Sequence, residues 1–142
     1  MNILVLNGPN LNLLGLREED IYGSESLASI EEKLKNLAHE SNCEIEFFQS
    51  NAEHELINSI QNAYENQVDV IIFNPAAYTH TSVALRDALL AVKIPFYEVH
   101  ISDINQREEF RKINLISDIC NKSIIGRGVQ GYIEALKYIN EQ

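Results

Sequence analysis

Tryptophan is absent, methionine occurs once and cysteine twice. Cys43 and Cys120 stand far apart and match neither metal nor redox spacing. That excludes a disulfide scaffold and a Cys-rich metal module. The two read instead as small core hydrophobes in a reducing compartment. Basic residues are scarce, with 11 Lys and Arg against 21 Asp and Glu and a formal net charge of −10. Phosphate contacts need clustered cations, so no nucleic acid is expected as a partner, and no membrane surface either. No apolar run approaches the roughly 20 residues of a membrane span. The opening Met1-Asn2-Ile3-Leu4-Val5-Leu6 has no basic flank, and Asn7 ends its apolar run, so it does not read as a signal peptide. A cytoplasmic protein is expected. There is no G-x-S-x-G elbow for a serine hydrolase. Asn7-Gly8-Pro9-Asn10 lacks the Lys and the Ser or Thr of a phosphate-binding P-loop.

What is present is an alternation. Five short apolar runs read as buried strands: Asn2–Asn7, Cys43–Ser50, Asp69–Asn74, Pro95–His100 and Lys122–Gly126. Between them lie helical stripes. Leu27, Ile30, Leu34, Leu37 and Ala38 form the first, with Ser24 or Ser26 as its cap. Leu56, Ile57, Ile60, Ala63 and Tyr64 form the second. Ser82–Val92 is apolar nearly all round, which suggests a buried or interface helix. Val129, Ile133, Leu136 and Ile139 form the last. The 142 residues suit one domain, 1–142, able to bury roughly 68–70% of its unfolded surface. Strands alternating with helices imply right-handed βαβ units. The expected fold is α/β and flavodoxin-like, a three-layer sandwich on a five-stranded parallel sheet of order 2-1-3-4-5.

In such sheets ligands sit beyond the carboxyl ends of the strands, at the switch point. Here those ends carry Asn7-Gly8-Pro9-Asn10, then Asn74 to His80, then Glu98-Val99-His100-Ile101-Ser102. From the first of them runs Leu6–Gly23, far longer than the usual connection of two to six residues. A mobile surface loop would satisfy the length alone. Its root beside the polar strand ends favours a lid over a site, with Leu14–Gly23 moving, Gly15 and Gly23 as hinges, and Arg17 and Tyr22 carried above. A free tyrosine, with a pKa of about 10, is ionised about once in a thousand at neutral pH. A nearby guanidinium favours the phenolate. Glu98 and His100 are two positions apart on a strand and share a face. A carboxylate there can fix the imidazole's tautomer. His80, His100 and Glu98 could also be written as a metal set, but it is poorly specified, and no metal is expected. Gly126-Arg127-Gly128-Val129-Gln130-Gly131 spells G-x-G-x-x-G, yet in the last βα unit, with no strand or acidic ribose partner after it. It reads as a tight turn with close helix packing.

These stretches together resemble the type II 3-dehydroquinate dehydratase family. The likeness lies in LNGPNLNLLGLRE with Tyr22-Gly23, Gln49-Ser50-Asn51, NPAAYTHTSVALRDAL (Asn74–Leu89), Glu98-Val99-His100 followed by REEFR (Arg107–Arg111), and Gly126-x-Gly128 with Gly131-Tyr132. The resemblance implies cofactor-free, reversible dehydration of 3-dehydroquinate to 3-dehydroshikimate through an enolate, by a homo-oligomer, a dodecamer of trimers. It implies Tyr22 as base, Arg17 lowering its pKa, His100 as general acid, Glu98 orienting it, and Asn10 holding a water at the enolate. Asn74, His80 and Arg111 would bind hydroxyls. Ile101 and Ser102 would bind the carboxylate, and Asp87 would reach a neighbouring subunit's site. The sequence departs from the family's common pattern at Ala52-Glu53-His54, Glu19, Lys112 and Asp103-Ile104-Asn105. Asp103, beside the carboxylate site, is expected to weaken substrate binding.

Overall fold

Alternation along each strand divides the apolar side chains between the two faces of the sheet. The computed structural model describes residues 1–16 and 24–142. Its strands are β1 (Asn2–Asn7), β2 (Glu44–Gln49), β3 (Val70–Asn74), β4 (Phe96–His100) and β5 (Lys122–Ile125). All pairings are parallel and the order is β2-β1-β3-β4-β5. The helices are α1 (Leu27–Glu40), α2 (Glu53–Glu65), α3 (Val83–Val92) and α4 (Gln130–Asn140). Ile3, Val5, Val70, Ile72 and Val99 face α1 and α4, packing with Ile30, Leu34, Tyr132 and Leu136. Leu4, Leu6, Ile71, Phe73 and Phe96 face α2 and α3, packing with Leu56, Ile60, Leu85 and Leu89. Leu34, Leu56 and Ile60 have no exposed surface. Burying each such side chain contributes about 1.5–3 kcal/mol, so apolar packing carries the fold. The expected order and layers are those observed.

Helix starts follow the sequence. The Ser26 hydroxyl accepts from the Ser29 amide, and the Ser82 hydroxyl from the Leu85 amide. Three expectations change. Tyr64 is 63% exposed and lies off the buried face of α2. In α4 the buried positions are Tyr132, Ala135, Leu136 and Ile139, while Val129 and Ile133 only flank the core. In α3, Val83 and Leu90 are exposed, so the helix is buried on one side and presents apolar surface on the other. Cys43 and Cys120 are half-buried free thiols at the edges of the two core halves.

Where β1 and β3 end, backbones meet closely. The Gly8 amide donates to the Asn74 carbonyl at 2.8 Å. A Cβ on Gly8 would lie 2.3 Å from the Pro75 carbonyl oxygen, so only glycine fits. The chain then makes a 3-10 turn over Leu11–Leu13 and buries Leu14 at 6% exposure in the α1 side of the core. Leu14 is therefore an anchor and not part of a moving lid. Gly15 (φ 91) follows, packed so closely on the Ser24 carbonyl that a Cβ would come within 2.9 Å. Arg17, Tyr22 and Gly23 lie outside the described residues.

Candidate active site

The ends of β1, β3 and β4 enclose a cavity of about 160 Å3. Asn10, Asn74, His80, His100, Ile101, Ser102 and Arg111 all border it. Arg107, to which the sequence reading gives no role, borders it too.

The wall from β4 is built on a buried charge. Glu98 is 0% and His100 3% exposed, and His100 Nε2 lies 2.7 Å from Glu98 Oε2. A lone buried carboxylate would be protonated. Here Ser123 donates to Oε1 at 2.5 Å and Asn114 Nδ2 to Oε2 at 2.6 Å. Burial pushes the Glu98 pKa up, but the bonds from His100, Ser123 and Asn114, with the charge of His100, outweigh it and hold the carboxyl below its ordinary range. Thr79, itself 0% exposed, places its hydroxyl 3.3 Å from His100 Nε2 and 3.5 Å from Glu98 Oε2. Thr79, Asn114 and Ser123 carried no periodic signal. They reach Glu98 from three separate segments.

His80 sits at the end of the 3-10 turn Ala76–His80, its Nδ1 2.6 Å from the Ile113 carbonyl. Burial lowers its pKa; the bond to the Ile113 carbonyl opposes this, and the charges of His100, Arg111 and Arg107 add to the lowering, so the balance favours the neutral ring. Across the mouth, Arg107 donates to the Ser102 hydroxyl at 3.3 Å. Arg111 Nε donates to Glu108 at 2.9 Å, and its guanidinium lies 5.3 Å from the Phe110 ring centre. Two guanidiniums at one mouth give an otherwise acidic chain a local pull on anions. Asp87 is exposed on α3 and does not border the cavity. Asp103 does not border it either: its carboxylate caps the turn Ile104–Gln106 by accepting from the Asn105 amide. That removes much of the reason to expect weak binding from it.

The floor comes from β1 and β3. Asn10 is held in the left-handed region (φ 70), where its amide donates to Asn51 Oδ1 at 2.9 Å. The Asn51 carbonyl accepts from the Tyr78 hydroxyl at 2.7 Å, and Gln49 donates to the Gly8 carbonyl at 3.1 Å. The end of β2 is thus firmly engaged despite the departures at Ala52 and His54. Asn74 accepts the Ala76 amide at 3.1 Å and donates to the Tyr132 hydroxyl at 2.9 Å, which donates to Asn7 at 2.6 Å. Burial raises the Tyr132 pKa, so it is a neutral link in this chain.

The glycine motif supports the same wall. Gly126 and Gly128 have positive φ, and their amides donate to the His100 and Ile101 carbonyls at 3.0 Å each. Those amides are taken and do not face a phosphate. A Cβ on Gly131 would lie 3.2 Å from Val99, the close helix packing expected. Among the described residues, no three His, Cys, Asp or Glu side chains converge as a metal would need. Nor is any helix among them long and apolar enough to cross a membrane.

A proton donor on a buried carboxylate, a neutral imidazole, amides and two guanidiniums around one small cavity suit a polyhydroxylated anion and acid–base chemistry on it. Comparison with known proteins agrees. Residues 1–140 match the family model described as dehydroquinase class II. The chain is 58% identical to the 3-dehydroquinate dehydratase of Haemophilus influenzae (strain 86-028NP) over 92% of its length and 87% of that protein's. It is 58% identical to the Methylococcus capsulatus 3-dehydroquinate dehydratase over 95% and 91%. It superposes on the crystal structure of type II dehydroquinase from Butyrivibrio crossotus with a TM-score of 0.96 at 49% identity, covering 99% of this chain and 97% of that one.

Proposed function

The chain belongs to the class II dehydroquinase family, and from that premise we propose how its residues act. It is a hydro-lyase of the shikimate pathway that converts 3-dehydroquinate to 3-dehydroshikimate. The observation that carries the assignment of roles is the buried Glu98–His100 pair at the wall of the strand-end cavity.

The substrate has a proton alpha to its ketone and a hydroxyl beta to it. Tyr22, as phenolate, takes the proton and leaves an enolate. Arg17 supplies the charge that makes the phenolate accessible. A shift of about two pKa units requires roughly 2.7 kcal/mol of differential interaction. Asn10 holds a water that stabilises the enolate oxygen. The C–O bond to the hydroxyl then breaks, His100 protonates it, and water leaves. Glu98 orients His100. Asn74, His80 and Arg111 bind the hydroxyls. The amides of Ile101 and Ser102, with the Ser102 hydroxyl, bind the carboxylate. No cofactor takes part. Asp87, exposed on α3 beside Val83 and Leu90, completes the site of a neighbouring subunit in a dodecamer of trimers. Residues 1–142 work as one catalytic domain, in the cytoplasm.

Purified protein given 3-dehydroquinate produces the conjugated enone, seen as rising ultraviolet absorbance. No absorbance change at micromolar enzyme overturns the reading. A particle of single-subunit mass by light scattering removes the assembly from it.

A further inference from the structure

Backbone groups have fixed roles: an amide only donates and a carbonyl only accepts. Three such groups, all in the segment from Ile113 to Ser117, determine where the protons sit on two imidazoles. Asn114 Oδ1 accepts from the amides of Ile116 and Ser117 at 3.0 Å each. Its amide group therefore cannot flip, and Nδ2 must face Glu98 Oε2 at 2.6 Å. That oxygen is then an acceptor and carries no proton. His100 Nε2, 2.7 Å from the same oxygen, must donate. One residue earlier in the chain, the Ile113 carbonyl requires His80 Nδ1 to donate, at 2.6 Å. The segment is itself pinned. The Leu115 amide donates to the Thr79 carbonyl at 2.9 Å, and the Leu115 carbonyl accepts from Arg86, which also grips Asp118.

Resting on the catalytic reading above, we propose that Asn114 is a positioning residue. With the neighbouring Ile113 carbonyl it sets the two imidazoles in opposite tautomers, His100 protonated on Nε2 and His80 on Nδ1. Among the described residues, His100 Nδ1 and His80 Nε2 have no protein partner. These are the nitrogens left for the cavity that both rings border. His100 keeps its Nε2–H on Glu98, takes up a second proton on Nδ1 to become imidazolium, and delivers that Nδ1 proton to the leaving hydroxyl, returning to the Nε2–H tautomer. His80, neutral, accepts a substrate hydroxyl at Nε2. A wrong tautomer at a catalytic histidine leaves the geometry intact but turns the wrong nitrogen to its orienting carboxylate and to the reacting group.

The test has two arms. First, nitrogen NMR of the protein labelled with 15N-histidine, at a pH where the imidazoles are neutral, reads the tautomers without reference to activity. Of the four histidines, His80 and His100 are identified by the signals missing in His80→Gln and His100→Gln. Opposite tautomers, as stated, are expected; His100 as Nδ1–H, or both rings alike, overturns the proposal. Second, Asn114→Asp keeps the oxygen that Ile116 and Ser117 need but replaces the donor with a second carboxylate oxygen at Glu98. Asn114→Ala loses both. A positioning role predicts that kcat falls about tenfold or more in Asn114→Asp, at least as far as in Asn114→Ala, with KM changed less than about twofold. A wild-type kcat in Asn114→Asp with a loss only in Asn114→Ala means Asn114 merely holds the turn, and overturns the proposal. If instead His100→Ala retains full activity, the catalytic reading fails while the tautomers stand.

Discussion

At the end of β4 the cavity rests on a carboxylate with no exposed surface, whereas at the end of β1 it rests on a solvent-exposed turn at Asn10. The wall keeps its charge through donors from three segments, at 2.5–2.7 Å for the nearest. The floor keeps its shape through a left-handed backbone and contacts between exposed amides. Interactions inside the protein are worth more than those screened by water, so the same chemical loss should weigh more at the wall than at the floor. Substitutions at four positions test that, in falling order of effect.

His100→Ala removes the proton donor outright. General acid catalysis typically contributes 10²–10⁴-fold, so kcat should fall by about a thousandfold with assembly unchanged, measured by enone absorbance. A loss under about tenfold would mean the wall is not the acid side.

Glu98→Gln comes next. It removes the charge and sets an amide against the Asn114 and His100 donors, costing about 3 kcal/mol of stability. The cost depends on pH with a definite sign. The Glu98 carboxyl titrates lower in the folded protein than in the unfolded chain. Its stabilisation is therefore complete above the unfolded carboxylate pKa of about 4.3 and is lost as pH falls through the folded value. The Tm gap between wild type and Glu98→Gln should be widest near neutral pH and narrow below about pH 4. A gap constant across that range would show Glu98 to be neutral in the fold.

The wall was also the half more legible in the sequence. The spacing of Glu98 and His100 sets both on one face of a strand, and the strand-order rule put that strand beside Asn74 and Asn10. Apolar runs located β1 to β5 within a residue or so; they are nearly continuous in the central strands β1, β3 and β4, which are covered on both faces, while the edge strands β2 and β5 are interrupted by exposed Glu44, Glu46 and Lys122. What stayed hidden was the support. Asn114, Thr79 and Ser123 reach Glu98 from 16 to 25 residues away along the chain, and such contacts leave no period to read. Tyr132 was missed for another reason. It has an apolar ring and a polar tip, and the stripe through Val129 and Ile133 passed beside it while the ring filled the core and the hydroxyl reached Asn7. The left-handed turn at Asn10 was hidden because asparagine also occurs in ordinary loops.

The floor's first test separates backbone from side chain at Asn10. A residue with a Cβ other than Asn or Asp costs about 1–2 kcal/mol in the left-handed region, and glycine avoids that cost. Asn10→Ala should lose both stability and kcat. Asn10→Gly should keep the Tm yet still lose kcat, by about tenfold, because the proposed water has lost its holder. If Asn10→Gly restores the rate, the floor contributes only shape.

The smallest effect belongs to Asn51, exposed and remote from the reacting atoms, whose Oδ1 accepts the Asn10 amide at 2.9 Å. One hydrogen bond open to water contributes about 0.5–1.5 kcal/mol. Asn51→Ala should therefore lower kcat by only about threefold to tenfold and lower the Tm by only a few degrees. Asn51→Asp retains an acceptor oxygen at that place and should recover most of the rate. Together with Asn114→Asp this makes a matched pair, the same amide-to-carboxylate change on either side of the cavity. At the floor the partner is an N–H donor, and a carboxylate serves it. At the wall the partner is itself a carboxylate, and a second one opposes it. Recovery at Asn51 with loss at Asn114 would establish that the two halves differ in the sign of the charge they tolerate. Equal losses at both positions would mean that the site responds to any added negative charge, and the contrast between buried wall and exposed floor would then explain nothing about catalysis.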